Sequence, residues 1–222
     1  MTKLKRLEKT RFERGGFFVG LPSLPIFPTD ALSEGMDQEH INAELKLVGL
    51  LIDALGYCDP ETYDTLFQMV ERKLKALARF DHKDIAYLQA HVPQSAKMSS
   101  ADVDARFNSL IKQSSDAGCA EAQYQYACRL WEQGDFEGAI TLYKASADQG
   151  YPPSQYCYGL GLRDGVGIRR DQGKGLFYIE LSAGRLYDLA LEYLIAFYRD
   201  NQTAKGKDKS KLYSQMLNWS ER

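Results

Sequence analysis

The side chains that could do chemistry are present in this sequence, but they are scattered. The three histidines, His40, His82 and His91, form no i, i+4 pair and no HExxH string, the pattern that sets two imidazoles on one helix face for zinc. Cys58, Cys119, Cys128 and Cys157 show no CxxC spacing, so neither a zinc site nor a redox pair is written in them. Cys119 and Cys128, nine residues apart, read as small buried hydrophobes. No GxxxxGK(S/T) or GxGxxG loop offers backbone amides to a phosphate, and no GxSxG elbow raises a nucleophile. Gly165-Val166-Gly167 is too short for a phosphate loop and reads as a tight turn between helices. The expectation is a chain with no catalytic residue, no metal ligand and no cofactor.

What remains is the chemistry of recognition. Fourteen tyrosines, Trp131 and Arg163 belong to the residue types in which binding energy concentrates. Composition narrows the partner. The chain of 222 residues is 44% hydrophobic and 26% charged, enough to bury a core. Its formal charge of -2 argues against nucleic-acid binding through a global positive field. Positive charge does collect at the two ends. Lys3, Lys5, Arg6, Lys9, Arg11 and Arg14 are interleaved with Glu8 and Glu13, and four lysines lie between Lys205 and Lys211. No run of eighteen apolar residues offers a membrane span, and Phe17 to Leu21 is too short for a secretory core. A cytoplasmic protein with reduced thiols is therefore expected.

The elements that would position these groups are helices. Residues 1–30 read as an extended basic, proline-containing arm, with Pro22, Pro25 and Pro28 in its second half. Phe17, Phe18 and Phe27 make that arm apolar enough to pack back on the chain or to enter a partner's groove. Residues 31–95 form a helical region. One helix is expected near 36–55, with Leu45, Val48, Leu51, Ile52 and Leu55 on one face. A second opens at Asp59-Pro60-Glu61, an N-cap followed by proline and an acidic residue. A short third spans about 84–90, and 93–101 reads as a linker.

Residues 100–204 carry an internal repeat. Gly118, Gln123, Tyr124 and Tyr126 recur 32 positions later as Gly150, Gln155, Tyr156 and Tyr158. A third, weaker register is placed at Gly184, 34 beyond Gly150, and Ser114 to Gly118 reads as the end of an earlier unit. A period in this range means helix pairs that stack because neither covers its apolar face alone. Small residues at Ala127, Ala139, Gly159 and Gly175 mark close helix approaches. Residues 205–222, with Leu212, Met216, Leu217 and Trp219, would form a terminal helix sealing the array.

Ala122-Gln123-Tyr124 and Ser154-Gln155-Tyr156, together with the loop Asp164-Gly165-Val166-Gly167-Ile168-Arg169-Arg170-Asp171 and Lys174-Gly175 and Tyr178, resemble the Sel1-like repeats of the tetratricopeptide superfamily. The resemblance covers 117–184. It implies an all-α solenoid of helix pairs in a right-handed superhelix, and a protein-binding role. Gly175 stands where that family has alanine, and the third unit lacks the Gln-Tyr pair.

In such arrays the first helix of each unit lines the inner face. Periodicity places Glu121, Tyr124, Cys128, Trp131 and Glu132 there in one unit. Tyr156, Leu160, Arg163 and Asp164 follow in the next, and Tyr187, Leu194 and Phe197 in the third. The tyrosines can be core filler or groove lining, and Trp131 can be an anchor or pack on the preceding pair. The function that follows is an adaptor or assembly subunit of a larger bacterial complex, binding another protein or peptide. An immunity or regulatory protein that covers an enzyme is a second reading. An enzyme with its site in the N-terminal helical region is a third.

Overall fold

The computed structural model describes residues 37–92, 99–200 and 203–220. The arm with Phe17, Phe18 and Phe27, and the segment 93–98, lie outside the described residues. Ten α-helices and no strand occur among the described residues: α1 (Gln38–Leu55), α2 (Pro60–Leu77), α3 (Asp84–His91), α4 (Ser100–Asp116), α5 (Ala120–Glu132), α6 (Phe136–Asp148), α7 (Pro152–Asp164), α8 (Gln172–Ala183), α9 (Asp188–Arg199) and α10 (Ala204–Ser220). They pack as successive pairs, α1/α2 through α9/α10, and each second helix also leans on the first helix of the next pair.

Local chemistry starts most of these helices in one of two ways. Several helices are capped by a side chain. Asp37 accepts from the His40 N–H at the start of α1, and Asp59 accepts from the Thr62 N–H and hydroxyl at α2. Ser99, Asp135 and Asp171 do the same for α4, α6 and α8. By contrast α5, α7 and α9 start from Cys119, Tyr151 and Tyr187, with no side-chain cap.

A buried serine in the preceding helix serves them instead. The carbonyls of Ser114, Ser146 and Ser182 accept from the Cys119, Tyr151 and Tyr187 N–H groups. Their hydroxyls donate back to the carbonyls of Lys83, Ala120 and Pro152 at the start of the previous first helix, at 2.6, 2.7 and 2.7 Å. Each serine thus ties three helix ends together where a larger side chain would not fit, since all three are fully buried.

These serines also give the true register. Cys119, Tyr151 and Tyr187 are equivalent, so the second step is 36 residues and not the 34 inferred from Gly184. The extra length lies mostly in the α7–α8 loop, which is longer than the three-residue α5–α6 turn. Gly118 and Gly150 adopt φ +91° and +88°, but Gly184 is helical (φ −60°) and Leu186 takes the left-handed position at φ +60°. A side chain there costs about 1–2 kcal/mol, and Leu186 is exposed, so its removal loses little packing. Leu186→Gly is therefore expected to raise stability by about 0.5–1 kcal/mol after the glycine's own entropy cost, read from the urea midpoint at unchanged m-value.

The core runs along the pair interfaces. α1 buries Ile41, Leu45, Val48, Leu51 and Leu55 and leaves Ile52 only half-covered, while α2 buries Val70, Leu74 and Leu77. Ala127, Ala139, Ile140, Tyr143, Ala147, Tyr158 and Leu162 form the centre of the repeats. Ile179, Leu191, Leu194, Tyr198 and Tyr213 form the last block, against which Met216 and Leu217 pack. Leu212 and Trp219 point outward from α10, so the face that α10 turns to the array is Tyr213, Met216 and Leu217.

Candidate functional site

The first helices of the pairs carry a band of partly exposed rings. Two clusters form it. In the first, Trp131 near the end of α5 stands edge-on to Phe136 (centroids 4.9 Å) and 6.4 Å from Tyr143. Tyr143 in turn contacts Tyr124 at 5.9 Å, and Tyr124 meets Tyr151 at 5.5 Å. Trp131 is 36% and Phe136 40% exposed, so this cluster offers apolar surface on a braced base. Glu132 is exposed beside it.

The second cluster joins α7 and α9. Tyr156 meets Tyr187, the N-cap of α9, at 5.8 Å and Tyr193 at 6.4 Å, and Tyr193 stacks on Phe197 at 6.1 Å. The Arg163 guanidinium lies 5.2 Å over the Tyr193 ring. Its fork donates to both oxygens of Asp164, Nε to Oδ1 at 2.6 Å and Nη2 to Oδ2 at 2.5 Å. That pairing holds the Asp164 carboxyl below its usual range. Tyr156, Arg163 and Tyr187 thus converge, while Tyr124 and Trp131 belong to the neighbouring cluster.

Glu121 lies apart from both. It accepts from the Cys119 thiol (3.5 Å) and lines a cleft of about 540 Å³ with Asn42, Lys46, His82, Asp84 and Tyr87. This cleft is where an enzyme of the N-terminal region would have its site. Its histidine is fully engaged: the Asp84 N–H donates to Nδ1 at 3.2 Å, leaving Nε2 to donate to Asn42 Oδ1 at 3.0 Å. His82 therefore fastens α1 to α3.

Burial favours the neutral form of three thiols and four phenols. Burial pushes the Cys119 and Cys157 thiols up to about 12, and raises Cys128, whose sulfur accepts from the Tyr143 hydroxyl at 3.3 Å. Burial likewise raises Tyr124, Tyr143, Tyr156 and Tyr187. These groups can hydrogen-bond and stack, but at neutral pH they supply no nucleophile. Among the described residues no group of three or more His, Cys, Asp and Glu could hold a metal ion, and no helix is long and apolar enough to cross a membrane.

The corrected register revises the third unit. Leu194, placed on the inner face by periodicity, is fully buried, as is Tyr158 one 36-residue step before it. The positions matching Trp131-Glu132 and Arg163-Asp164 are Arg199 and Asp200, whose side chains approach at 3.9 Å and are mostly exposed. The recurrence of Arg-Asp at a spacing of 36 was the signal in the sequence that would have found them. Tyr193 and Phe136, which brace Arg163 and Trp131, could be found only from the packing.

No protein-family model matches the sequence, and no curated protein matches it. Solved structures do. A Sel1 repeat protein from Oxalobacter formigenes superposes with a TM-score of 0.61 at 15% sequence identity, with 81% of this chain and 73% of that chain covered. A protective antigen present in uropathogenic Escherichia coli strains, displaying an SLR fold, gives 0.55 at 16% identity, with 80% of this chain and 45% of that chain covered. The fold is the all-α helix-pair array of the Sel1-like repeat.

Proposed function

We propose that this Sel1-like array is a protein-binding scaffold, an adaptor or assembly subunit that receives a partner along its first-helix face. The observation that carries the reading is the band itself: Trp131 on Phe136 and Tyr143, then Arg163 on Tyr193 with Tyr156, Tyr187 and Phe197. Large rings are exposed there yet already held in place by other rings, so a partner gains aromatic contact without ordering floppy side chains. Glu132 and the Arg163–Asp164 and Arg199–Asp200 pairs give the rim polar groups that select register. Four free thiols, one fully buried, accord with a reducing cytoplasm, and both similar structures come from bacteria.

The test is affinity capture from the source cells with tagged wild type beside the Trp131→Ala, Arg163→Ala double variant, after both are shown to share helicity and melting temperature. One stoichiometric protein that is retained by wild type and falls at least tenfold with the double variant is expected. A partner held equally by both would remove the band from the interface. If the captured protein is an enzyme that loses activity on reconstitution, the scaffold acts as an inhibitor; retained activity marks an adaptor.

A further inference from the structure

We propose that a notch between the ends of α3, α4 and α5 is a docking site for an acidic side chain of a peptide, gripped by Arg129. The notch encloses about 470 Å³ and is lined by His91, Phe107, Leu110, Arg106, Asp104 and Arg129 among others. It lies on different residues from the band above and is tested separately.

Three helices build its wall. His91 lies tilted against Tyr87 (4.3 Å) and meets the edge of Phe107 (5.5 Å), and the Arg129 guanidinium lies 5.1 Å over the Phe107 ring. The imidazole is fixed: Nδ1 donates to the Tyr87 carbonyl at 2.8 Å, and Nε2 accepts from the Gln125 amide at 3.2 Å. Phe107 is therefore braced from behind, and it holds Arg129 in turn.

Arg129 differs from the other arginines at the ends of the first helices. Arg163 and Arg199 each face the aspartate that follows them. Arg129 is followed by Leu130, and among the described residues no carboxylate lies within ion-pair reach of it. The last turn of α5 favours a cation there but provides no counter-ion. The result is a half-buried, planar, permanently charged fork over an aromatic ring. A carboxylate fits such a fork with two parallel hydrogen bonds. The apolar wall at Leu110, Val103 and Ala90 suits a neighbouring aliphatic side chain. Asp104 in the same lining repels negative charge beyond the one carboxylate that Arg129 holds.

The probe is a fluorescein-labelled peptide of alternating glutamate and leucine, read by fluorescence anisotropy on the full chain, with a lysine-for-glutamate peptide as control. Wild type is expected to bind the glutamate peptide at least tenfold more tightly than the control. Arg129→Gln should lose that preference at least tenfold, Arg129→Lys should keep part of it, and Arg169→Ala, at an exposed position of the α7–α8 loop, should leave it intact. All variants are first matched for melting temperature. Equal binding of the two peptides, or unchanged binding by Arg129→Gln, overturns the proposal. So does displacement of the peptide by oligouridylate at equal affinity, which would make the notch a general anion site.

Discussion

Gly175→Val is expected to lower stability by about 3 kcal/mol, which at this chain length is a fall of roughly 6–12 °C in Tm. α7 and α8 cross with their backbones in near contact. A Cβ on Gly175 would sit 2.6 Å from the Gly159 carbonyl oxygen and 2.9 Å from the Arg163 nitrogen, and one on Gly159 would meet the Gly175 oxygen at 2.8 Å. Those neighbours are backbone, so no rotamer change relieves the clash and the helices must separate. Separation opens the block around the fully buried Ile179 and shifts Arg163 away from Tyr193. The gain in helix propensity on replacing glycine offsets only a few tenths of a kcal/mol for a β-branched residue. The control is Gly173→Ala, where the nearest atom to a Cβ is Asp171 Oδ1 at 3.8 Å and stability should hold or rise slightly. A Gly175→Val chain melting within 2 °C of wild type would mean the helices do not approach this closely.

The second large effect is expected at Glu180. Its Oε1 accepts from Lys209 Nζ at 2.8 Å, from the Tyr198 hydroxyl at 2.8 Å and from the Tyr213 hydroxyl at 3.4 Å, so one carboxylate of α8 fastens α9 and α10. Lys209 also donates to the Tyr198 hydroxyl and lies 4.6 Å from the centre of its ring. Removing the acceptor strands three donors, of which Lys209 can partly rehydrate. Glu180→Ala should cost about 2 kcal/mol. The loss should fall on the last pair, so α10 amides exchange faster while α5 and α6 keep their protection.

Acid titration gives a second readout at the same residue. Burial works to raise the Glu180 pKa, but donation from Lys209, Tyr198 and Tyr213 outweighs it and holds the carboxyl below its ordinary value. A pKa depressed in the folded state stabilises fully above the unfolded value, about 4.3, and that contribution is lost as the pH falls through the folded value. The stability gap between wild type and Glu180→Ala should therefore be widest near neutrality and narrow below about pH 4.3. A gap that persists unchanged into acid would show that packing, and not the charge-assisted hydrogen bonds, links the last pair to α8.

Much of the architecture lies in short-range pattern, which is why it was readable. Apolar spacing located α1 and α2, and Asp59-Pro60 marked the start of α2, because capping and periodicity act within one or two turns. The 32-residue echo of Gly118, Gln123, Tyr124 and Tyr126 exposed the first two repeats. The small residues Ala127 and Ala139, both fully buried in one core cluster, and Gly159 and Gly175, whose backbones nearly touch, marked two equivalent helix crossings.

The third repeat was misregistered for a specific reason. Gly184 lies near the place of the turn glycines Gly118 and Gly150, but the backbone bonds at Ser182 and Ala183 close the turn around Leu186 instead. The serine series 114, 146 and 182 carries the correct step, yet its meaning depends on hydrogen bonds to Lys83, Ala120 and Pro152, up to 31 residues away.

The sequence by itself thus determined the helices, their pairing and the residue types offered on the first helices, since these follow from local propensity and a repeated apolar stripe. Which rings those residues rest on was decided by tertiary packing. Arg163 commits its fork to Asp164 and its face to Tyr193, while Arg129 keeps its fork open over Phe107. Both are arginines in the last turn of a first helix; the counter-ion of Arg163 is its own sequence neighbour, while the ring beneath each, Tyr193 or Phe107, is set by helix stacking at 5.2 and 5.1 Å.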